Sequence, residues 1–257
     1  MNILFVLAAI LLLLMCMIGG KKGARSFFAL FLNFGVFLIT ILFMTNTRID
    51  PYIITLSACA VISYINLFFI NEVNSTTKAA FLSSIITIVL LLLFIVLVTE
   101  NAMIQGFGEE EVEELSVFSL YIGVDFVKIG ASVIILSTIG AIIDTAMAIS
   151  SPMREMFLHH PTINKKELFT FGINIGKDIL GTSTNTLFFA FFGGYLALLI
   201  WFKDLSYSFG EILNSKIFSA EMITILCAGT GVALIIPITS VITAYFLVNT
   251  REKEKIN

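Results

Sequence analysis

Charge is what this sequence lacks. Only 13% of its 257 residues are Asp, Glu, Lys or Arg, where a soluble domain carries about a quarter. So little charge cannot cover a water-exposed surface, and a net charge of -3 leaves no basic field for a nucleic-acid partner. Histidine is scarce too. The only two, His159 and His160, are adjacent and precede Pro161. They read as solvated loop residues, with a pH-sensing role as the alternative. No His-Glu-x-x-His zinc motif can exist, and no apolar run holds a histidine base for a serine nucleophile. Cys16, Cys59 and Cys227 all fall inside apolar runs, where a thiol behaves as a small hydrophobe. No disulfide, metal site or cofactor is expected.

What is present is long apolar sequence, with 58% hydrophobic residues and a mean hydropathy of +1.01. The hydrophobic residues come in runs, so the expected solvent is a bilayer. About seven runs reach the roughly 20 residues needed to span. They lie near 2–18, 27–44, 52–70, 79–99, 124–149, 179–202 and 220–248. In lipid each must be helical, because unpaired backbone amides are too costly there. The expected fold is therefore all-α, a polytopic transmembrane helix bundle forming a single domain over 1–257. Met1–Ile18 has no basic n-region and no small-x-small cleavage site, so it reads as an uncleaved first helix.

Orientation follows from the basic residues. With the N-terminus outside, the inner segments hold Lys21, Lys22, Arg25, Lys78, Arg154, Lys165, Lys166, Lys177, Arg251, Lys253 and Lys255. The outer loops hold Arg48, Lys203 and Lys216. The C-terminus is then cytoplasmic. The outer run Glu109–Glu114 reads as a solvated acidic loop. The outer segment Asp204–Ser219 mixes apolar and polar residues, as a short interfacial helix does. On the inner side Pro152 and Pro161 are expected to break helices. Asn164-Lys165-Lys166-Glu167 has the form of a capping box, which predicts an interfacial helix near 164–176 that bends into the sixth span near Gly172 or Gly176.

Polar residues where lipid should be are the functional signal. Asp144 lies about five residues, or roughly 8 Å, from the inner end of the fifth run. Gly140 and Ala148 share its face and suggest close approach of a neighbouring helix. In the sixth run Asp178, Thr182 and Asn185 recur at helical spacing, with Gly181 beside them. Asn185 falls near the depth of Asp144, and Asn33 of the second run enters from the same side. Two readings stay open: a proton- or cation-linked site, or hydrogen bonds that hold helices together. Asp125 and Lys128, three apart, are expected to pair at the outer end of the fifth run. Gly229, Gly231 and Pro237 suggest close packing and a kink in the last.

The segments Gly140–Ile149 and Gly176-Lys-Asp-Ile-Leu-Gly181-Thr-Ser-Thr-Asn-Thr186, with Glu211–Asn214, Glu221, Gly229-Thr-Gly231 and Ile236-Pro237-Ile-Thr239, resemble the YibE/F-like family of bacterial membrane proteins. The motifs cover roughly residues 120–248. Leu180 and Ser183 stand where the family often has Met. The resemblance is to the shorter, YibF-like type, and implies a multi-pass protein of the bacterial plasma membrane. It also implies a partner, either a longer relative or a second copy. The family is often described as transporters, so a transporter or permease subunit moving a small substrate or ion is the first functional expectation. A non-transporting assembly subunit is the second. An enzyme is not expected: the two spans bearing Asp144 and Asp178 lack Gly-x-Gly-Asp and Tyr-Asp signatures, and Gly181-Thr-Ser183 has no base.

Overall fold

A computed structural model of the chain describes residues 3–46, 48–102, 104 and 125–256. The described residues form helices and turns with no strand. The elements are α1 (Ile3–Met44), α2 (Pro51–Tyr64) continuing as a π-helical turn (Ile65–Phe69), α3 (Ser75–Ala102), α4 (Phe126–His159), α5 (Lys165–Gly194), α6 (Leu196–Asp204), α7 (Phe209–Asn214) and α8 (Lys216–Ile256). Five of the helices are long and apolar enough to cross a membrane, and six spans result if the bent pair α5–α6 is one. The molecule is a multi-pass membrane protein. The acidic run Glu109–Glu114 lies outside the described residues.

The first two expected spans form one helical run, broken at Gly20. Its φ of 53° and ψ of -132° suit glycine and little else. In a straight helix Met15 and Gly23 would stand about 12 Å apart along the axis. Here a Cβ added to Gly23 would lie within van der Waals overlap of the Met15 carbonyl. The chain therefore folds back sharply at Gly20. The half before the break exposes Phe5, Met17 and Ile18, a surface suited to lipid.

α3, α4 and α8 pack against one another as the centre of the bundle. Leu91, Ile95, Ile135, Ile142 and Ile235 form its buried core. Gly231 allows the contact: its missing Cβ would sit 3.0 Å from Leu91 and 3.3 Å from Ile142. α5 packs chiefly on α8 and more lightly on α4. Gly172 and Gly176 seat it, against Met153 and Ser240 in one case and Ile236 in the other.

Two expected breaks are absent. α4 runs straight through Pro152 to His159, because Ile149 and Met153 on either side of it are fully buried against Leu168 and the end of α8. Such packing outweighs the roughly 3 kcal/mol that a missing donor and a ring clash cost. The helix ends instead at His160, just before Pro161. α5 does not bend at Gly172 or Gly176; these glycines pack rather than hinge. The bend comes later, 52° between α5 and α6, where the Tyr195 hydroxyl donates to Glu221 at 2.7 Å. The capping box at Asn164 forms as the sequence predicts, with Glu167 N–H donating to the Asn164 side chain at 2.9 Å. A second box, Ser208 with Glu211, starts α7, so the outer segment does hold a short helix. Pro237 sits inside α8 without ending it.

Candidate functional site

Asp144 is on the face of α4 turned toward α5. Together the two helices enclose an open groove of about 450 Å³. From α4 come Gly140, Ala141, Asp144, Thr145 and Ala148; from α5 come Ile179, Thr182, Ser183, Thr186 and Leu187. The spacing on α5 is i, i+3, i+4, i+7, i+8, one helical stripe. Its chemistry is one carboxylate, several hydroxyls and an apolar lining of small residues. Thr182 and Thr186 satisfy their own hydroxyls on the carbonyls of Ile179 and Thr182, both at 2.9 Å, so their oxygens remain able to accept. The Asp144 carboxylate makes no hydrogen bond or ion pair among the described residues.

The groove is open because the glycines that could close it do not. A Cβ on Gly140 or Gly181 would meet nothing within 4 Å. Close approach occurs one helix further on, where α5 meets α8. There a Cβ added to Gly229 would meet only the Thr184 methyl, at 3.4 Å.

The other expected members of the site go elsewhere. Asp178 and Asn185 do not line the groove. At 100° per residue they lie roughly 110° and 130° around α5 from the centre of the groove stripe. Both are exposed on the outward face of the helix. Asn33 is held by a different residue: its amide donates to Asn66 of the π-helical turn at 3.2 Å. Asn66 in turn donates to the Ile62 carbonyl at 3.0 Å. Asp125 and Lys128 do not pair with each other. Asp125 caps α4, accepting from Val127 N–H at 3.1 Å and Lys128 N–H at 3.2 Å. The Lys128 ammonium instead reaches Asp50 at 2.5 Å and lies 5.5 Å from the centre of the Tyr52 ring.

Asp50 is therefore the residue that sequence reasoning missed. Its signal was Asp-Pro at a helix start. One carboxylate oxygen accepts from Tyr52 N–H at 2.9 Å and caps α2, which leaves the other free for Lys128. The Lys128 hydrogen bond, then the Tyr52 N–H, hold its carboxyl below the ordinary value of 3.8. Ser183 also lines the groove, beside Thr182.

No group of three or more His, Cys, Asp and Glu side chains that could hold a metal occurs among the described residues. In comparison with known proteins, the model of the family described as YibE/F-like protein matches residues 7–249. No curated protein and no solved structure matched the chain.

Proposed function

The chain belongs to the YibE/F-like family, and on that premise we propose that it is a transporter or permease subunit of the bacterial plasma membrane. It moves a small substrate or ion through the groove between α4 and α5, with Asp144 as the group that exchanges a proton or cation. One observation carries the reading: a carboxylate in a membrane-length helix opens into a cavity of hydroxyls and small side chains without a partner of its own. A structural carboxylate in lipid is paired; an unpaired one in a cavity is suited to a travelling ligand. We further read α1 as two passes joined at Gly20, which makes seven crossings with the N-terminus outside and the C-terminus inside. The basic cluster Lys21, Lys22 and Arg25 directly after the break supports that orientation.

The test is flux. Purified protein in liposomes loaded with a pH-sensitive dye is challenged with a panel of small cations and metabolites. A substrate-dependent pH change that disappears in Asp144→Asn supports the reading. Flux that survives the substitution sinks it.

A second reading is an assembly subunit, and the outward face of α5 favours it. Asp178, Gly181 and Asn185 lie there exposed, and polar groups facing lipid call for a helix from another chain. A longer family member or a second copy would supply it. Disulfide trapping after Gly181→Cys distinguishes the two, since a second copy gives a dimer from this chain alone.

A further inference from the structure

A second cavity, of about 500 Å³, lies at the end of the bundle where α2 leads into α3. It is unrelated to Asp144. Four cationic side chains line it: Lys21, Lys22 and Arg25 from just past the Gly20 break, and Arg154 from the last turns of α4. Two carboxylates, Glu72 and Glu155, share the lining. None of the six forms an ion pair within 4.0 Å among the described residues. The cavity therefore carries a net excess of positive charge that is not spent internally.

The cavity also contains the start of α3. Asn74 caps this 28-residue helix by accepting from Thr77 N–H at 2.9 Å. The first intrahelical bond is donated by Lys78 N–H to the Asn74 carbonyl, so the N–H groups of Ser75 and Thr76 precede the helical ladder. Helix N-termini with such donors bind anions. Thr76 adds an independent observation. It lines the cavity and is only 3% exposed. Its buried hydroxyl has no hydrogen-bond partner. A buried hydroxyl left unpaired among the described residues is unfavourable, and this one belongs to a residue in the cavity wall.

We infer that this cavity binds a phosphate group, held by Lys21, Lys22, Arg25 and Arg154 and by the N-terminus of α3 with the Thr76 hydroxyl. Phosphate fits the donor set: four cationic side chains and Thr76, with its free backbone N–H and its hydroxyl, line one volume. The volume is in the range of small-molecule sites, so the phosphate is attached to something larger. It comes either from a soluble phosphate compound or from the headgroup of an anionic phospholipid. A positive-inside cluster alone needs neither a cavity nor a buried hydroxyl.

The test uses the full chain in nanodiscs of phosphatidylcholine. One arm titrates inorganic phosphate and a sugar phosphate against sodium chloride at equal ionic strength and reads the melting temperature. The other replaces part of the lipid with phosphatidylglycerol and reads retained lipid by native mass spectrometry. Stabilisation by phosphate beyond that by chloride assigns a soluble ligand; selective retention of phosphatidylglycerol assigns a lipid. In either case Lys22→Gln with Arg25→Gln weakens binding by about tenfold or more. Thr76→Val is the second variant. It folds at least as well without phosphate, because it removes an unpaired hydroxyl, yet it loses most of the phosphate- or lipid-dependent gain. Equal effects of phosphate and chloride with no selective lipid, or binding unchanged in both variants, overturn the inference.

Discussion

The start and the middle of α4 treat charge in opposite ways. Near its start, Lys128 is matched by Asp50 and Tyr52 from the neighbouring α2, and Asp125 is matched by backbone N–H groups of its own helix. Near its middle, Asp144 has no such partner among the described residues and opens into a groove. The same helix thus carries a closed electrostatic contact and an open one. A closed contact contributes to holding helices in place. An open one adds no such contact, and the proposed transport reading rests on it.

The sharpest way to break this comparison is to neutralise the open contact. Asp144→Asn is expected to abolish substrate-linked flux while leaving the melting temperature unchanged or raised; a variant that fails to assemble would make Asp144 a structural group like Asp50. Next in size is a plug. Gly140 has open space beside it, so Gly140→Leu should fold, fill the groove and stop flux. Full activity in that variant would show that the groove is not the path.

Packing gives a stability counterpart. A Cβ on Gly176 would reach Ile236 closer than any van der Waals contact permits. Gly176→Ala should therefore destabilise the α5–α8 contact by about 1–3 kcal/mol, measured by thermal or denaturant unfolding in detergent. Gly181→Ala, with nothing within 4 Å, should be neutral in the isolated chain. If it weakens a complex instead, a second chain covers that face.

The smallest effect belongs to the closed contact. The Asp50 carboxyl is held below 3.8 by Lys128. A group lowered in the folded state contributes stability above its unfolded value and loses it as pH falls through the folded one. Both side chains are about a third exposed, so solvent screens the pair and its contribution to stability is small. Unfolding followed below pH 4 should show an acid-side loss that Asp50→Asn flattens. Flux at neutral pH should not change.

Local rules carried far along this chain. The capping box at Asn164 needs only residues three apart, and it formed. The membrane class, the helical fold and the family followed from hydrophobic runs and local motifs, because a bilayer leaves the backbone one solution. Asp144 was legible as a candidate because a carboxylate in an apolar run stands out without any structure.

Its companions were legible only in part: Gly140, Ala148 and Thr182 line the groove with it, while Asp178, Asn185 and Asn33 do not. Spacing shows which residues share a face of α5, but not which way that face turns. Gly172 and Gly176 lock α5 onto α8, and that fixes the rotation. Thr182, Ser183 and Thr186 then enter the groove, while Asp178 and Asn185 turn outward. Lys128 chose a partner 78 residues away over Asp125 at three, because capping α4 had already engaged Asp125. Pro152 was overruled by the burial of Ile149 and Met153. The sequence by itself determined the solvent, the helical class and the presence of a carboxylate within an apolar run. The tertiary structure alone decided what that carboxylate faces, since helix rotation is set by the packing of neighbours and by nothing local.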